Sequence, residues 1–245
     1  ESGRNTEKSP ATISNISSKG SPTAQQTASA ATQAGKNAPS PTNDLAAAFP
    51  IYRPPRRGMP LERVNAGSRG RADDLLPSLV AWVPAEVGLT TQEQPSLYWH
   101  LSARPAAPVV FSLVIPERME TVRTNRLEEL RVGVNAIHLS DLGVKLTPEV
   151  QYQWYVALVR DPASRSRDLI AGGAILRTVP SPELRQQVLK TGKFNLAALY
   201  VKESLWYDAV DSLVNAIELH SSDVVLRQRL SALLAGVGLP EPEPF

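Results

Sequence analysis

The chain has 245 residues, with Lys+Arg 26 against Asp+Glu 24 and a net charge of +2. So even a balance provides no whole-molecule field to draw the protein onto nucleic acid or an anionic membrane. The absence of cysteine excludes disulfides, zinc ribbons, thiolate-held iron–sulfur clusters and a thiol nucleophile. No stretch approaches the roughly 18 apolar residues of a membrane-spanning helix.

Composition divides the chain. Residues 1–48 are Ser, Thr, Ala, Gln, Asn, Lys and Pro without an aromatic, and Ile13, Ile16 and Leu45 are their only large apolar side chains. Such a segment cannot bury enough surface to offset roughly 1–2 kcal/mol per residue of backbone ordering, so a solvated tail is expected. The chain begins at Glu1. A Ser/Thr/Ala-rich leader before a globular domain is expected of an exported protein whose signal peptide has been removed, although a cloned fragment would begin the same way. Residues 49–74 carry Arg53, Arg56, Arg57, Arg63, Arg69 and Arg71 with Glu62 and then Asp73 and Asp74 as acids, and their prolines and glycines exclude a regular helix or a central strand. One reading is an anion-binding arm. The other is an extended strap whose arginines pair with carbonyls and local acids.

Over residues 75–179 the pattern is β. Strands are expected at Leu79–Val83, Leu97–Leu101, Val109–Ile115, Glu120–Thr124, Val134–Leu139, Tyr152–Val159 and Ile170–Leu176, all short, β-branched or aromatic, and punctuated by Pro, Gly and Asp. Seven strands with no helix between them point to an antiparallel, immunoglobulin-like β-sandwich. Tyr152, Trp154, Val156 and Leu158 recur at every second position, so that face is buried, and Gly172-Gly173 within a strand suggests a bulge or a close backbone approach. Residues 180–239 switch to helical period. Ser181-Pro182 opens a helix that Gly192 closes, and helices follow at Phe194–Lys202, Trp206–His220 and Ser222–Ala235, before a short tail at 240–245. The run Leu199-Tyr200 … Trp206-Tyr207-Asp208-Ala209 … Ala216-Ile217 looks like one tetratricopeptide unit, which cannot stand alone and must pack on the sandwich or on a partner.

Motifs running in order from about residue 56 to 239 carry a resemblance. They are Arg57-Gly58-Met59-Pro60 with Gly67-Ser68-Arg69-Gly70, Gly88-Leu89-Thr90-Thr91 with Pro95 and Tyr98-Trp99, Tyr152-Gln153-Trp154-Tyr155 with Asp161-Pro162 and Arg165-Ser166, and Leu205-Trp206-Tyr207-Asp208-Ala209. Together they resemble domain of unknown function number 928, exported proteins common in filamentous photosynthetic bacteria. The resemblance implies export and architecture but no activity. Members of that family often carry two cysteines where this chain has Ala72 or Asp73 and Arg160, which fits a lost disulfide.

No chemistry-bearing constellation emerges. His100, His138 and His220 are scattered, so no metal or other cofactor is expected, and there is no nucleophile elbow, Walker loop or dinucleotide fingerprint. Glu117/Glu120 and Glu128-Glu129 read as solvated charge rather than a glycosidase pair. The leading expectation is a non-enzymatic, exported structural or adaptor module making protein–protein contacts or assembling with itself, in the cell envelope or an extracellular assembly. In a variant of this reading, the leader becomes ordered only inside an assembly, folding along a partner. Arg53, Arg56, Arg57, Arg69, Arg71, Trp99, Trp206 and Tyr207 are the candidate interaction residues. An alternative reading is an envelope carbohydrate-binding module, in which exposed aromatics and the arginine strap hold an acidic polysaccharide. A remoter one is a hydrolase with a distributed site. The Tyr-Trp clusters have a plainer reading as sandwich core, with the outward member of Trp154 and Tyr155 lying under the helices.

Overall fold

Alternation of apolar residues builds the sheets. In Val109–Ile115 every second side chain, Val109, Phe111, Leu113 and Ile115, is buried and the residues between are half-exposed, as expected of a pleated strand with one face on a core. This computed structural model describes residues 49–55, 57, 63–64 and 77–240, all within one compact unit. The expected leader and the positions Arg56, Arg69 and Arg71 lie outside the described residues.

The strands are β1 (Leu79–Ala81), β2 (Gly88–Thr90), β3 (Ser96–Leu101), β4 (Val109–Ile115), β5 (Glu120–Leu127), β6 (Gly133–His138), β7 (Gln151–Leu158) and β8 (Leu169–Arg177). They form a three-stranded sheet β1-β3-β6 and a five-stranded sheet β2-β8-β7-β4-β5. Every pairing is antiparallel except β2 with β8, which is parallel. The sequence pattern misses β2, because three residues carry no periodicity and a parallel partner leaves no hairpin signal. It arises because the first strand changes sheets. Leu79–Ala81 pairs with β3, the chain passes Trp82-Val83-Pro84, and Gly88–Thr90 then lies along β8.

This order is the immunoglobulin partition. β1, β3 and β6 occupy the places of strands A, B and E, while β4, β5, β7 and β8 occupy those of C, C′, F and G, with β2 as the second half of A. A further mark of that fold is present. Tyr152, near the start of β7, accepts a hydrogen bond at its hydroxyl from the Thr147 backbone N–H at 3.1 Å, closing the corner before the strand. Tyr152→Phe keeps the ring in the core and removes that bond, so it should cost about 1 kcal/mol. Urea unfolding followed by circular dichroism checks it, and a change below about 0.3 kcal/mol would mean the corner is redundant.

Gly172 and Gly173 mark a close approach and not a bulge, since the β7–β8 register runs unbroken across them. A Cβ on Gly172 would lie 2.1 Å from the Trp154 carbonyl oxygen, and one on Gly173 would lie 2.6 Å from Val83. Gly172 also exchanges both backbone hydrogen bonds with Val64, at 3.1 and 2.8 Å, which fastens the strap to the sheet.

Four helices follow, α1 (Pro182–Lys190), α2 (Lys193–Lys202), α3 (Trp206–Leu219) and α4 (Val224–Ala235). The Ser181 hydroxyl caps α1 by accepting from Leu184 N–H at 3.1 Å, and the Asp223 carboxylate caps α4 by accepting from Val225 and Leu226 N–H. On α3, Trp206, Ala209, Val210, Leu213, Val214 and Ile217 are buried, and Leu226, Leu230, Leu233 and Leu234 of α4 join the same core as the sandwich residues Trp82, Trp99 and Phe111. The helices are therefore a cap sharing the sandwich's core.

Candidate contact site on the helical cap

Helix α3 begins with two aromatics, and they lock it into the sandwich. Trp206 Nε1 donates to the Trp82 carbonyl at 2.8 Å, at the point where the first strand leaves its sheet. Tyr207 receives a hydrogen bond from Trp154 Nε1 at 2.9 Å and donates to the Ala174 carbonyl at 3.1 Å. Burial pushes the Tyr207 phenol far above its ordinary value, so it stays neutral and serves as both donor and acceptor. Gly88 leaves room for this ring, since a Cβ there would meet it at 2.7 Å.

The first two turns of α3 also carry two carboxylates, Asp208 and Asp211. Asp208, 1 % exposed, accepts from the Thr91 backbone N–H at 3.0 Å and from the Thr91 hydroxyl at 2.5 Å, in the loop between β2 and β3. Burial raises its pKa to about 6, against the opposing pull of the threonine hydrogen bonds. Half-buried Asp211 accepts from the Tyr98 hydroxyl at 2.8 Å and from Gln92 Nε2 at 3.4 Å. The Tyr98 phenol is raised by burial and by Asp211, so it too remains a donor.

Above these carboxylates, between α2 and α3, lies a hollow of about 300 Å³ walled by Phe194, Tyr200, Ala216 and Leu219 with Asp208 and Asp211 in its lining. A second hollow of about 310 Å³, lined by Leu184, Val188 and Leu189 of α1, shares Tyr200 with it. Large apolar side chains stand exposed around both, with Leu189 at 86 %, Leu219 at 69 % and Phe194 at 47 %. These three are grouped along the cap, while Met119, Val132 and Val179 stand exposed elsewhere on the described surface.

The candidate interaction residues fall in different places. Trp99 has no exposed surface and points into the core. Trp206 and Tyr207 are buried as described, so the three aromatics are not surface contacts and form no stacking platform. The physical reason is the strand change: the gap it opens beside β8 is filled by the start of α3. The expectation for Trp154 and Tyr155 is corrected as well, since the residue reached by the helices is Trp154, on the same face as the core residues Tyr152, Val156 and Leu158. Arg53 is exposed. Arg57 lies 3.9 Å from Glu149 in an exposed ion pair of little energetic weight. Arg63 donates to the carbonyls of Val83 and Val237, which ties the strap to both the sandwich and the end of the cap.

His138 meets the Ser96 hydroxyl at 3.0 Å, and His220 stacks on Phe194 with ring centroids 5.1 Å apart. Glu117, Glu120, Glu128 and Glu129 are exposed. No group of three or more His, Cys, Asp or Glu able to hold a metal occurs among the described residues, and none of their helices is long and apolar enough to cross a membrane. Asp208 stands in the sequence motifs, but neither it nor Asp211 is among the candidate interaction residues. The available signal was a pair of acids three residues apart beside the apolar stripe of a helix.

The strand order, the tyrosine corner and the shared core define an immunoglobulin-like β-sandwich with a fused helical cap. Residues 64–243 match the model of the Domain of Unknown Function (DUF928), and the chain belongs to that family. No curated protein matches it. Among solved structures, an immunoglobulin-like β-sandwich protein of the DUF3244 family from Bacteroides vulgatus is similar at 12% identity and a TM-score of 0.25, covering 46% of this chain and 97% of its own. So weak a superposition carries nothing further.

Proposed function

We propose that the protein is an exported, non-enzymatic structural or adaptor module whose helical cap, a tetratricopeptide-like pair α2–α3 flanked by α1, is its protein-contact surface. One observation carries this reading. Leu189, Phe194 and Leu219 stand exposed around two adjoining hollows, on a cap otherwise well enough packed to share the sandwich core. Desolvating such side chains against a partner is worth about 25 cal/mol per Å² of apolar surface, so burying Leu189, Phe194 and Leu219 together favours docking at this face. The Ser/Thr/Ala-rich leader fits export and would serve as a tether.

The test uses Leu189→Asp and Leu219→Asp. Both side chains are exposed, so each change should move folding stability by no more than about 0.5 kcal/mol. Expressed in the source cell and extracted gently, the wild-type protein should be recovered in a large assembly and the double variant as a free, folded chain. Recovery of the double variant in the same assembly would refute this reading.

A further inference from the structure

We propose that the hollow between α2 and α3 receives the Ile51–Arg53 arm of a second copy of this chain, joining molecules head to tail. The inference rests on the cap being a protein-contact surface and names its occupant. The arm is prepared for this role. Pro54 holds Arg53 to the extended region, and Pro50 and Pro55 stiffen the chain on either side of the arm. Tyr52 pins it down, being 4 % exposed with its ring edge-on to Trp206 at 4.9 Å. Ile51, 79 % exposed, and the exposed Arg53 flank the buried Tyr52 on either side. The molecule thus displays one aliphatic group and one cation roughly 7 Å apart on a restrained backbone, so little entropy remains to be lost on docking.

The hollow has the complementary chemistry. Its walls are apolar and aromatic, and its lining holds Asp208 and Asp211. Among the described residues neither carboxylate has a cation within ion-pair distance. Lys193 is exposed at the mouth, and the His220 ring is engaged with Phe194. An arginine entering over Tyr200 would reach the half-buried Asp211, and Ile51 would cover Phe194 or Leu219. A molecule cannot fill its own hollow in this way. Trp206, which anchors the arm, and Asp208, at the hollow, are two residues apart on α3 and therefore project about 200° apart around the helix. Arm and hollow being different surfaces, the contact is heterologous and repeats into a ring or an open chain.

Sedimentation equilibrium of the full chain from roughly 1 µM to 1 mM tests this. The wild-type average mass should rise with concentration past that of a dimer. Arg53→Glu and Ile51→Ser alter exposed side chains, and Asp211→Asn keeps an acceptor for the Tyr98 hydroxyl. Each should weaken association at least about tenfold with unchanged circular dichroism. An equimolar mixture of Arg53→Glu with Asp211→Asn supplies one intact hollow and one intact arm, so it should associate but stop at the dimer. A monomeric wild type throughout, or arm variants that associate like the wild type, would overturn the proposal. If arm variants stay in the native assembly while Leu189→Asp with Leu219→Asp leaves it, the cap remains the contact surface and the second-copy assignment is wrong.

Discussion

Replacing Trp206 by alanine should cost about 4 kcal/mol of folding stability, among the largest effects of any single change in the cap. The indole has no exposed surface, lies edge-on to Tyr52 and donates to the Trp82 carbonyl. Alanine removes most of that volume from a place walled by the strap, the strand change and α3, elements that cannot all close inward together. It also removes the indole N–H that donates to the buried Trp82 carbonyl. Trp206→Phe separates the two losses, since it keeps much of the ring and should cost about 1–2 kcal/mol. Urea unfolding monitored by circular dichroism measures both. A cost for Trp206→Ala no larger than that of a surface change would mean that the cap is not keyed to the sandwich through this residue. For a chain of this length each kcal/mol corresponds to about 2–4 °C in melting temperature, so the alanine variant should melt at least 8 °C lower.

The second large effect is a pH dependence centred on Asp208. Burial raises its carboxyl from the ordinary 3.8 to about 6 in the folded protein, so between those values the folded chain holds a proton that the unfolded chain releases. Stability therefore falls as pH rises from about 4 to about 6 and is level above that, by roughly 3 kcal/mol from this group alone. The Asp208→Asn variant has no carboxyl to titrate, and its amide oxygen still accepts from Thr91. It should match the wild type near pH 4, exceed it by up to about 3 kcal/mol at pH 7 and lose this segment of the slope. Unfolding midpoints measured from pH 4 to pH 7 decide it, and a variant with the wild-type slope would assign the titration to another group.

Much of the architecture was legible because the signals were local. Ser181-Pro182 and the stripes of α3 and α4 each specify their element from within a few residues, and the alternation in Tyr152, Trp154, Val156 and Leu158 identifies a buried strand face. What escaped was long-range. Gly88–Thr90 is a strand only because β8 lies beside it, and nothing within three residues encodes a parallel partner some 87 positions away. The same cause misplaced the site. Trp99, Trp206 and Tyr207 are large aromatics in short mixed segments, a pattern that reads equally as core or surface until the start of α3 is known to enter the gap left by the strand change. The proposed contact face is built from Leu189, Phe194 and Leu219, which lie on three different helices and look like core residues in sequence. Their exposure is a property of packing.

Hydrogen exchange on the full chain, isolated and within the assembly from which it is gently extracted, bears most directly on the cap as the contact surface. The account predicts added protection across α1, α2 and the C-terminal half of α3, around Leu189, Phe194 and Leu219, with the exposed β5 edge exchanging equally in both states. Protection confined to β5, or a protein recovered only as a free monomer, would contradict it.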